Sequence, residues 1–311
     1  MNPLSAIFGA GVALRNVLYD RRIFNIYKLL RPVVSVGNIS VGGSGKTPFV
    51  IALGQLLKAR GIEFDVLSRG YGRRSTGIAV VDPEGSPVQF GDEPLLIARK
   101  LQVPVIVGAD RYQAGLLAEK QFAAKLHLLD DGFQHRRLHR DFDIVLLPAS
   151  DLPGVLLPVG RLREPASSLR RADAVVTEPE SAPAETKAIW RIQRELLLDK
   201  SFKRAIAFCG IARPSQFFAR LRELGIELAD TVFFPDHHRY TESDINRLQR
   251  LKSSAGADGF ITTEKDFINL GPLAARLQPL QVARLRLVLE NPDQALSTLF
   301  STLEHRSGCR L

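Results

Sequence analysis

A nine-residue stretch near the start of the chain carries the residue types that hold phosphate groups. It reads SVGGSGKTP at positions 40–48 and follows the apolar run RPVVSV. Its end, Gly45-Lys46-Thr47, matches the phosphate-loop pattern G-x-x-x-x-G-K-[ST], but Ser40 stands where that pattern has its first glycine. The residues that would surround a bound phosphate chain are Ser40, Val41, Gly42, Gly43, Ser44, Gly45, Lys46 and Thr47.

This loop predicts nucleotide binding. Backbone N–H groups of a glycine-rich turn at a helix N-terminus point at an anion. Lys46 can reach the β- and γ-phosphates, and the Thr47 hydroxyl can bind Mg²⁺. Pro48 would fall in the first helical turn, where its missing N–H costs little. The alternative is a glycine-rich turn with a chance lysine, which the strand before, the helix after and the GKT together disfavour.

A second candidate metal ligand lies at the end of a hydrophobic run. The sequence Leu-His-Leu-Leu at 126–129 predicts a buried strand, and Asp130 and Asp131 follow it directly. A phosphate-loop enzyme needs such a carboxylate for its metal, and Mg²⁺ uses few protein ligands there. We therefore expect Asp131 to serve Mg²⁺, directly or through water, whereas direct contact by Asp130 stays open. The alternative is a pair of acids that end a strand at a surface turn.

Alternating strand-like and helix-like runs must position these residues. Near-continuous apolar strands between helices predict a phosphate-loop NTPase-like α/β fold, a mostly parallel sheet with helices on both faces. Residues 78–81 and 87–90 are expected to form a hairpin, and residues 161–169 to open a helix. The mixed segment 178–200 predicts a boundary. The expected units are an N-terminal interface helix at 1–22, a phosphate-loop core at 23–198 and a smaller α/β unit at 199–311.

Composition narrows the class of partner. Lys and Arg number 42 against 33 Asp and Glu, a net charge of +9, which favours anionic partners. No apolar run reaches the ~20 residues that span a bilayer. The N-terminal stretch has its positive charges after its apolar run, the wrong order for a secretory signal. As a helix it would either lie in a membrane interface or pack on the protein's own core, and the sequence leaves both open.

Other phosphate-loop classes fit less well. Guanine-binding proteins carry [NT]-K-x-D, and the nearest match, Thr-Glu-Lys-Asp at 263–266, has the wrong order, which favours ATP. A nucleic-acid motor would need stacking aromatics, but the chain has one Trp and five Tyr. The basic segment 135–140 could contact phosphates of any kind or be a solvated loop. A switch or motor ATPase remains the competing class.

A series of motifs in fixed order resembles the tetraacyldisaccharide 4′-kinases, the lipid A 4′-kinases of Gram-negative bacteria. Each motif is weak alone, and together they are specific over about residues 5–290. The motifs are GN at 37–38, GGSGKTP at 42–48, SRGYG at 68–72, GDEP at 91–94, DDGFQH at 130–135, GRLREP at 160–165, DH at 236–237 and TTEKD at 262–266.

The resemblance implies an ATP- and Mg²⁺-dependent lipid kinase. Its acceptor would be the 4′-hydroxyl of a tetraacylated glucosamine disaccharide 1-phosphate, and its product lipid IVA. It would work as a peripheral protein at the anionic cytoplasmic face of the inner membrane. Neither a nucleic acid nor a protein partner is inferred.

The resemblance also implies roles for individual residues. Asp92 would accept the proton of the acceptor hydroxyl, with His237, or less favourably His238, as its partner. Arg163 would neutralise charge on the transferred group, and Glu164 would be a further metal or water ligand. The expected substrate contacts are Arg69, Tyr71, Arg111, Gln134 and His135. Since Asp92 and His237 are far apart in sequence, the site is expected in a cleft between the two units.

Overall fold

The computed structural model describes residues 2–152, 154–178, 187–199 and 202–308. The strands are β1 (Val33–Asn38), β2 (Phe64–Ser68), β3 (Ala79–Val80), β4 (Val105–Val107), β5 (Leu126–Asp130), β6 (Phe142–Leu146), β7 (Ala174–Thr177), β8 (Ile189–Leu197), β9 (Arg204–Cys209), β10 (Glu227–Phe233), β11 (Gly259–Thr263) and β12 (Leu280–Leu289). The helices are α1 (Pro3–Asp20), α2 (Lys46–Ala59), α3 (Pro87–Phe90), α4 (Asp92–Leu101), α5 (Arg111–Gln121), α6 (Pro214–Glu223), α7 (Glu242–Ala255), α8 (Glu264–Leu270) and α9 (Pro292–Ser307).

The described strands form a 12-stranded sheet in the order β10-β9-β11-β12-β8-β7-β6-β1-β5-β2-β4-β3. Neighbours run parallel except in the pairs β3–β4 and β8–β12. Parallel strands are buried on both faces, which explains why β1, β2, β5 and β6 are buried along their whole length. The predicted fold class is confirmed.

Strand β1 lies where the chain order of the sheet reverses. It pairs with β5 on one side and β6 on the other, both in parallel register. Ligands of open α/β sheets bind outside the carboxyl ends of the strands at such a switch point. The loop after β1 and the acids at the end of β5 therefore share one edge of the sheet.

The antiparallel pair of β8 and β12 joins the two halves of this sheet. Strand β8 pairs with β7 near its start and with β12 from Ile192 to Leu197. Helix α9 returns to the first half, where Leu296, Leu299 and Leu303 belong to the same core as β1 and α2. The predicted boundary segment lies partly outside the described residues, and the division into three units stays a prediction.

Two local predictions were wrong. Residues 87–90 form the helical turn α3 instead of a strand, because Pro87 has no N–H for a sheet ladder and suits the first helical position. Strand β3 pairs instead with β4. The helix expected from residue 161 is a short 3₁₀ segment, Ala166–Arg171. It begins only after Pro165, which is consistent with the bias of proline against helix in the preceding residue.

The N-terminal helix is held by polar contacts and buries little of itself. Ser5 is its buried residue, and its hydroxyl donates to the carbonyl of Leu156 at 2.9 Å. Leu4, Ile7 and Leu14 are more than half exposed. Among the described helices, none has the length and apolarity to cross a bilayer.

Close packing at the end of β1 yields a stability prediction. A Cβ at Gly37 would lie 2.5 Å from Cβ and 2.8 Å from the backbone nitrogen of Phe133, so Gly37→Ala forces the backbone apart. We expect it to lower the free energy of unfolding by about 1–3 kcal/mol, measured by urea unfolding. The control is Gly11→Ala in α1, where a Cβ has no neighbour within 4 Å. Equal midpoints for the two variants would contradict the prediction.

Candidate active site

The loop between β1 and α2 has a backbone that only glycine adopts readily. Gly42, Gly43 and Gly45 have φ of +63°, +66° and +88°, in the left-handed region where side chains are strained. Gly45 is the N-cap of the 14-residue helix α2, which starts at Lys46. The helix N-terminus is thus presented at the switch point of the sheet, an arrangement suited to an anion.

Lys46 connects the loop with the acids after β5. Its Nζ donates to Oδ1 of Asn38 at 3.2 Å and lies 3.4 Å from Oδ1 of Asp131. Arg163 donates to the same carboxylate, with Nη1 3.1 Å from Oδ2. Burial alone would raise the pKa of Asp131, but these two cations outweigh it and the pKa is lowered. Asp131 is therefore ionised and held between two positive groups.

Asp130 has a different environment. It is buried, and one oxygen accepts from the Ser68 hydroxyl at 3.0 Å, while Oδ1 has no hydrogen-bond partner. Burial, Glu93 and Asp131 together raise the pKa of Asp130 to about 7. A buried, unpartnered carboxylate oxygen beside a second carboxylate is a place where a hard cation would relieve unfavourable charge.

Oxygen donors of this kind fit Mg²⁺. The set consists of the two aspartates and the hydroxyl of Thr47 at the start of α2. No group of three or more His, Cys, Asp or Glu among the described residues is arranged to hold a metal. A Mg²⁺ ion at a nucleotide site commonly uses one or two carboxylates together with phosphate oxygens and water.

The segment that carries Arg163 runs beside the phosphate loop. The backbone N–H of Arg163 donates to the carbonyl of Ile39, and that of Val41 donates to the carbonyl of Arg161. The next residue, Glu164, is fully buried. Its oxygens accept from Arg15 at 3.3 Å, Asn16 at 3.1 Å and Arg171 at 2.5 Å. Glu164 is thus already held by three donors, and its predicted metal role stays a prediction.

The structure brings Asp92 and His237 together although they are 145 residues apart in the sequence. Asp92 opens α4 and is 4% exposed, and Nδ1 of His237 lies 2.9 and 3.0 Å from its two oxygens. His238 faces away, with Nε2 3.1 Å from Asp244 and its ring stacked on Phe234. Of the two histidines that the sequence offers, His237 is the partner of Asp92.

The protonation of this pair follows from its surroundings. Burial would raise the pKa of Asp92, but the His237 hydrogen bond, Lys265 and Asn269 outweigh burial and lower it. For His237, burial disfavours the charged ring, yet the bond with Asp92 prevails and the pKa is raised. Asp92 is therefore an ionised carboxylate with a fixed donor at its side.

The predicted substrate contacts surround the same strand ends. Arg111 is buried at the start of α5, and burial together with Arg69 lowers its pKa to about 10. Burial and Arg111 lower the pKa of His135 to about 4, so this ring is neutral. Gln134 donates to the carbonyl of Asn38 at 2.7 Å. The exposed Tyr71 has its ring 5.0 Å from that of His237.

Two arginines from the later part of the chain lie over the phosphate loop, and sequence analysis missed both. Arg194 of β8 donates to the carbonyl of Ser44 at 3.0 Å, and Arg213 pairs with Asp151 at 2.6 Å. Their side chains fill the space beside Gly45 and Gly43. The alternation of IWRIQRELL predicts a strand there, which is a signal that could have placed Arg194.

Comparisons with known proteins agree with this geometry. The family model described as tetraacyldisaccharide-1-P 4′-kinase matches residues 1–304. A tetraacyldisaccharide 4′-kinase of Koribacter versatilis is 53% identical, covering 99% of this chain and 100% of that relative. The one from Aquifex aeolicus is 41% identical over 86% of this chain and 88% of that protein.

A solved structure extends the match to three dimensions. The crystal structure of "apo" form LpxK from Aquifex aeolicus in complex with ATP has a TM-score of 0.79 and 35% identity. It covers 96% of this chain and 97% of that chain. The resemblance seen in the sequence motifs is confirmed over the full length: the chain belongs to the tetraacyldisaccharide 4′-kinase family.

Proposed function

We propose that the chain transfers the γ-phosphoryl group of ATP to the 4′-hydroxyl of a tetraacylated glucosamine disaccharide 1-phosphate, forming lipid IVA in lipid A biosynthesis. One observation carries the proposal. A phosphate loop, an ionised carboxylate between two cations and a carboxylate–imidazole pair lie at one end of the sheet. Glu93, next to Asp92, is close enough to Asp130 to raise its pKa, which joins the two parts of the site.

The residues on the nucleotide side of the site would bind the phosphates and neutralise their charge. The amides at the start of α2 and Lys46 would hold the β- and γ-phosphates, and Arg163 would face the transferred group. Mg²⁺ would be held by Thr47 and Asp131, with Asp130 directly or through water, and would neutralise charge between the β- and γ-phosphates. When the nucleotide binds, Lys46 would leave Asp131 and contact the β- and γ-phosphates instead.

The acceptor side provides a proton acceptor. As the 4′-oxygen bonds to the γ-phosphorus and the bond to the β–γ bridging oxygen breaks, the hydroxyl proton passes to Asp92 and ADP leaves. A carboxylate with a lowered pKa is a weak base, but a loose phosphoryl-transfer transition state asks for little proton removal before bond cleavage. His237 would keep Asp92 aligned with the hydroxyl.

A second anion site suits the phosphate that the acceptor already carries. The buried Nε of Arg111 has no partner, and neither has the buried Nε2 of His135. A phosphate oxygen would accept from Arg111 Nε, and from His135 in its Nε2–H tautomer, and would relieve the repulsion between Arg111 and Arg69. We therefore propose these three residues, with Tyr71 and Gln134 at the rim, as the contacts of the acceptor's head group.

The N-terminal helix would place this site at a membrane. Its uncovered residues Leu4, Ile7 and Leu14 share the surface with the exposed Val155 and Val159 of the loop that Ser5 contacts. Arg21 and Arg22 follow at its exposed end. Apolar side chains beside arginines suit the boundary of an anionic bilayer, the cytoplasmic face of the inner membrane, where ATP and an acylated acceptor meet.

Transfer of labelled γ-phosphate to the purified acylated disaccharide 1-phosphate tests the function. Because Lys46 grips the phosphates and contacts Asp131, Lys46→Ala should lower kcat/KM on the order of 100- to 1,000-fold while the protein stays folded. The control is Lys120→Ala on the exposed side of α5, which should keep full activity. A wild-type protein that releases only ADP, or an active Lys46→Ala variant, would overturn the assignment.

Asp92→Asn separates a base from a binding group. The amide keeps the shape but cannot take the proton, so kcat should fall by about 10²- to 10⁴-fold with little change in KM for ATP. Steady-state kinetics with varied ATP and saturating acceptor measure both. A change in KM alone would make Asp92 a binding residue.

Deleting α1 would also remove the donors Arg15 and Asn16 from Glu164. The test of membrane contact therefore keeps the helix and changes its exposed apolar residues. Leu4, Ile7 and Leu14 all changed to Ser should lower partitioning onto anionic phosphatidylglycerol vesicles by about tenfold or more, because exposed apolar area is lost. Phe233→Ser, 72% exposed on the distant strand β10, is the control. Unchanged sedimentation of the triple variant with vesicles would refute the helix as the contact.

A further inference from the structure

A partly buried lysine lies behind the pair formed by Asp92 and His237. Lys265 on α8 places its Nζ 3.3 Å from Nε2 of His237, on the ring edge opposite Asp92. It also lies 3.0 Å from Asp236 and 3.5 Å from Glu93. Its side chain is 17% exposed. Burial would lower its pKa, but the surrounding carboxylates outweigh burial and raise it, so the group is an ammonium.

Because Lys265 is an ammonium, it determines whether Nε2 of His237 donates or accepts a hydrogen bond. A Lys ammonium carries three N–H donors and no acceptor. The 3.3 Å contact is therefore a hydrogen bond only if Nε2 of His237 is unprotonated and accepts. The ring proton then lies on Nδ1, where it is donated to Asp92. If both ring nitrogens carried protons, two positive groups would face each other at that distance.

A second residue of α8 completes the arrangement. Nδ2 of Asn269 donates to Oδ2 of Asp92 at 2.9 Å, one helical turn beyond Lys265. Both residues thus approach the pair from the same helix face. The helix itself is anchored by Asp266, which accepts from the Tyr240 hydroxyl and the Gly210 N–H, each at 2.8 Å.

We propose that Lys265 is a positioning residue, which fixes His237 as the neutral Nδ1–H tautomer and so makes it a permanent donor to Asp92. The inference rests on the proposed role of Asp92 as base. Because the Lys265 ammonium faces Nε2 of His237, Asp92 rather than His237 is the group that receives the acceptor's proton. Asn269 holds the second oxygen of Asp92 in place.

The pH dependence follows from the charges around the ring. The charged groups that act on His237 are Asp92 from α4, Asp236 from its own loop and Lys265 from α8, and the Tyr71 ring lies 5.0 Å from its ring. Glu93 faces Lys265. The carboxylates favour the imidazolium and Lys265 opposes it. Removing Lys265 therefore raises the pKa of both His237 and Asp92. Since an imidazolium would weaken Asp92 as a proton acceptor, activity should be lost at higher pH than in the wild type.

The test compares Lys265→Met with Lys265→Arg. We expect Lys265→Met to lower kcat at neutral pH by about tenfold, to leave KM for ATP unchanged and to move the acid limb of the kcat profile up by about 1 pH unit. Lys265→Arg keeps the charge and should return the profile most of the way to that of the wild type. The control is Lys100→Met, which removes another α4–α8 ion pair, that with Glu264, away from the ring.

A measurement without substrate keeps this inference separate from the proposed function. Nitrogen NMR of the His237 ring in the full-length protein should show the Nδ1–H tautomer in wild type and a higher titration midpoint in Lys265→Met. An Nε2–H tautomer in the wild type, or equal titration in both proteins, would overturn the proposal even if the kinase assay succeeds. If Lys100→Met shifts the acid limb as much as Lys265→Met, Lys265 has only a structural role.

Discussion

The Asp131 carboxylate between Lys46 and Arg163 is the contact on which the site depends. It ties together the phosphate loop after β1, the strand end of β5 and the segment that starts at Arg161. Each of these elements is short, and only the parallel register of β1 with β5 brings them to one edge. Buried negative charge at this edge is costly unless cations meet it, which explains the concentration of Lys and Arg here.

The second half of the chain contributes side chains that complete this edge. His237, Lys265 and Asn269 approach Asp92 from one direction, and Arg194 and Arg213 cover the loop from another. They arrive there because β8 and β12 continue the same sheet. Part of the excess of Lys and Arg over Asp and Glu therefore lies at this end of the sheet. These cations face carboxylates and the proposed place for phosphate.

Sites formed by adjacent residues could be predicted from the sequence. Contacts between residues far apart in the sequence could not be predicted from spacing alone. The GKT of the loop and the paired aspartates after an apolar run predicted the site for a nucleotide. Each of these signals consists of residues that are adjacent in the sequence. The contact between Asp92 and His237 was inferred from family motifs, because nothing in the spacing of 145 residues indicates it. Residues 87–90 were wrongly taken for a strand, since their turn depends on Pro87. Arg194 was overlooked in a segment that was interpreted only as a boundary.

The β8–β12 pair divides the chemistry between two halves of the sheet. Asp92 belongs to the first, while His237, Lys265 and Asn269 belong to the second, and Lys46 and Asp131 both stay with the first. The Lys46–Asp131 contact is therefore complete within one half, whereas His237 and Asn269 reach Asp92 from the other half. A substitution that disturbs the pairing of β8 with β12 would misplace the partners of Asp92 before it altered the contact between Lys46 and Asp131.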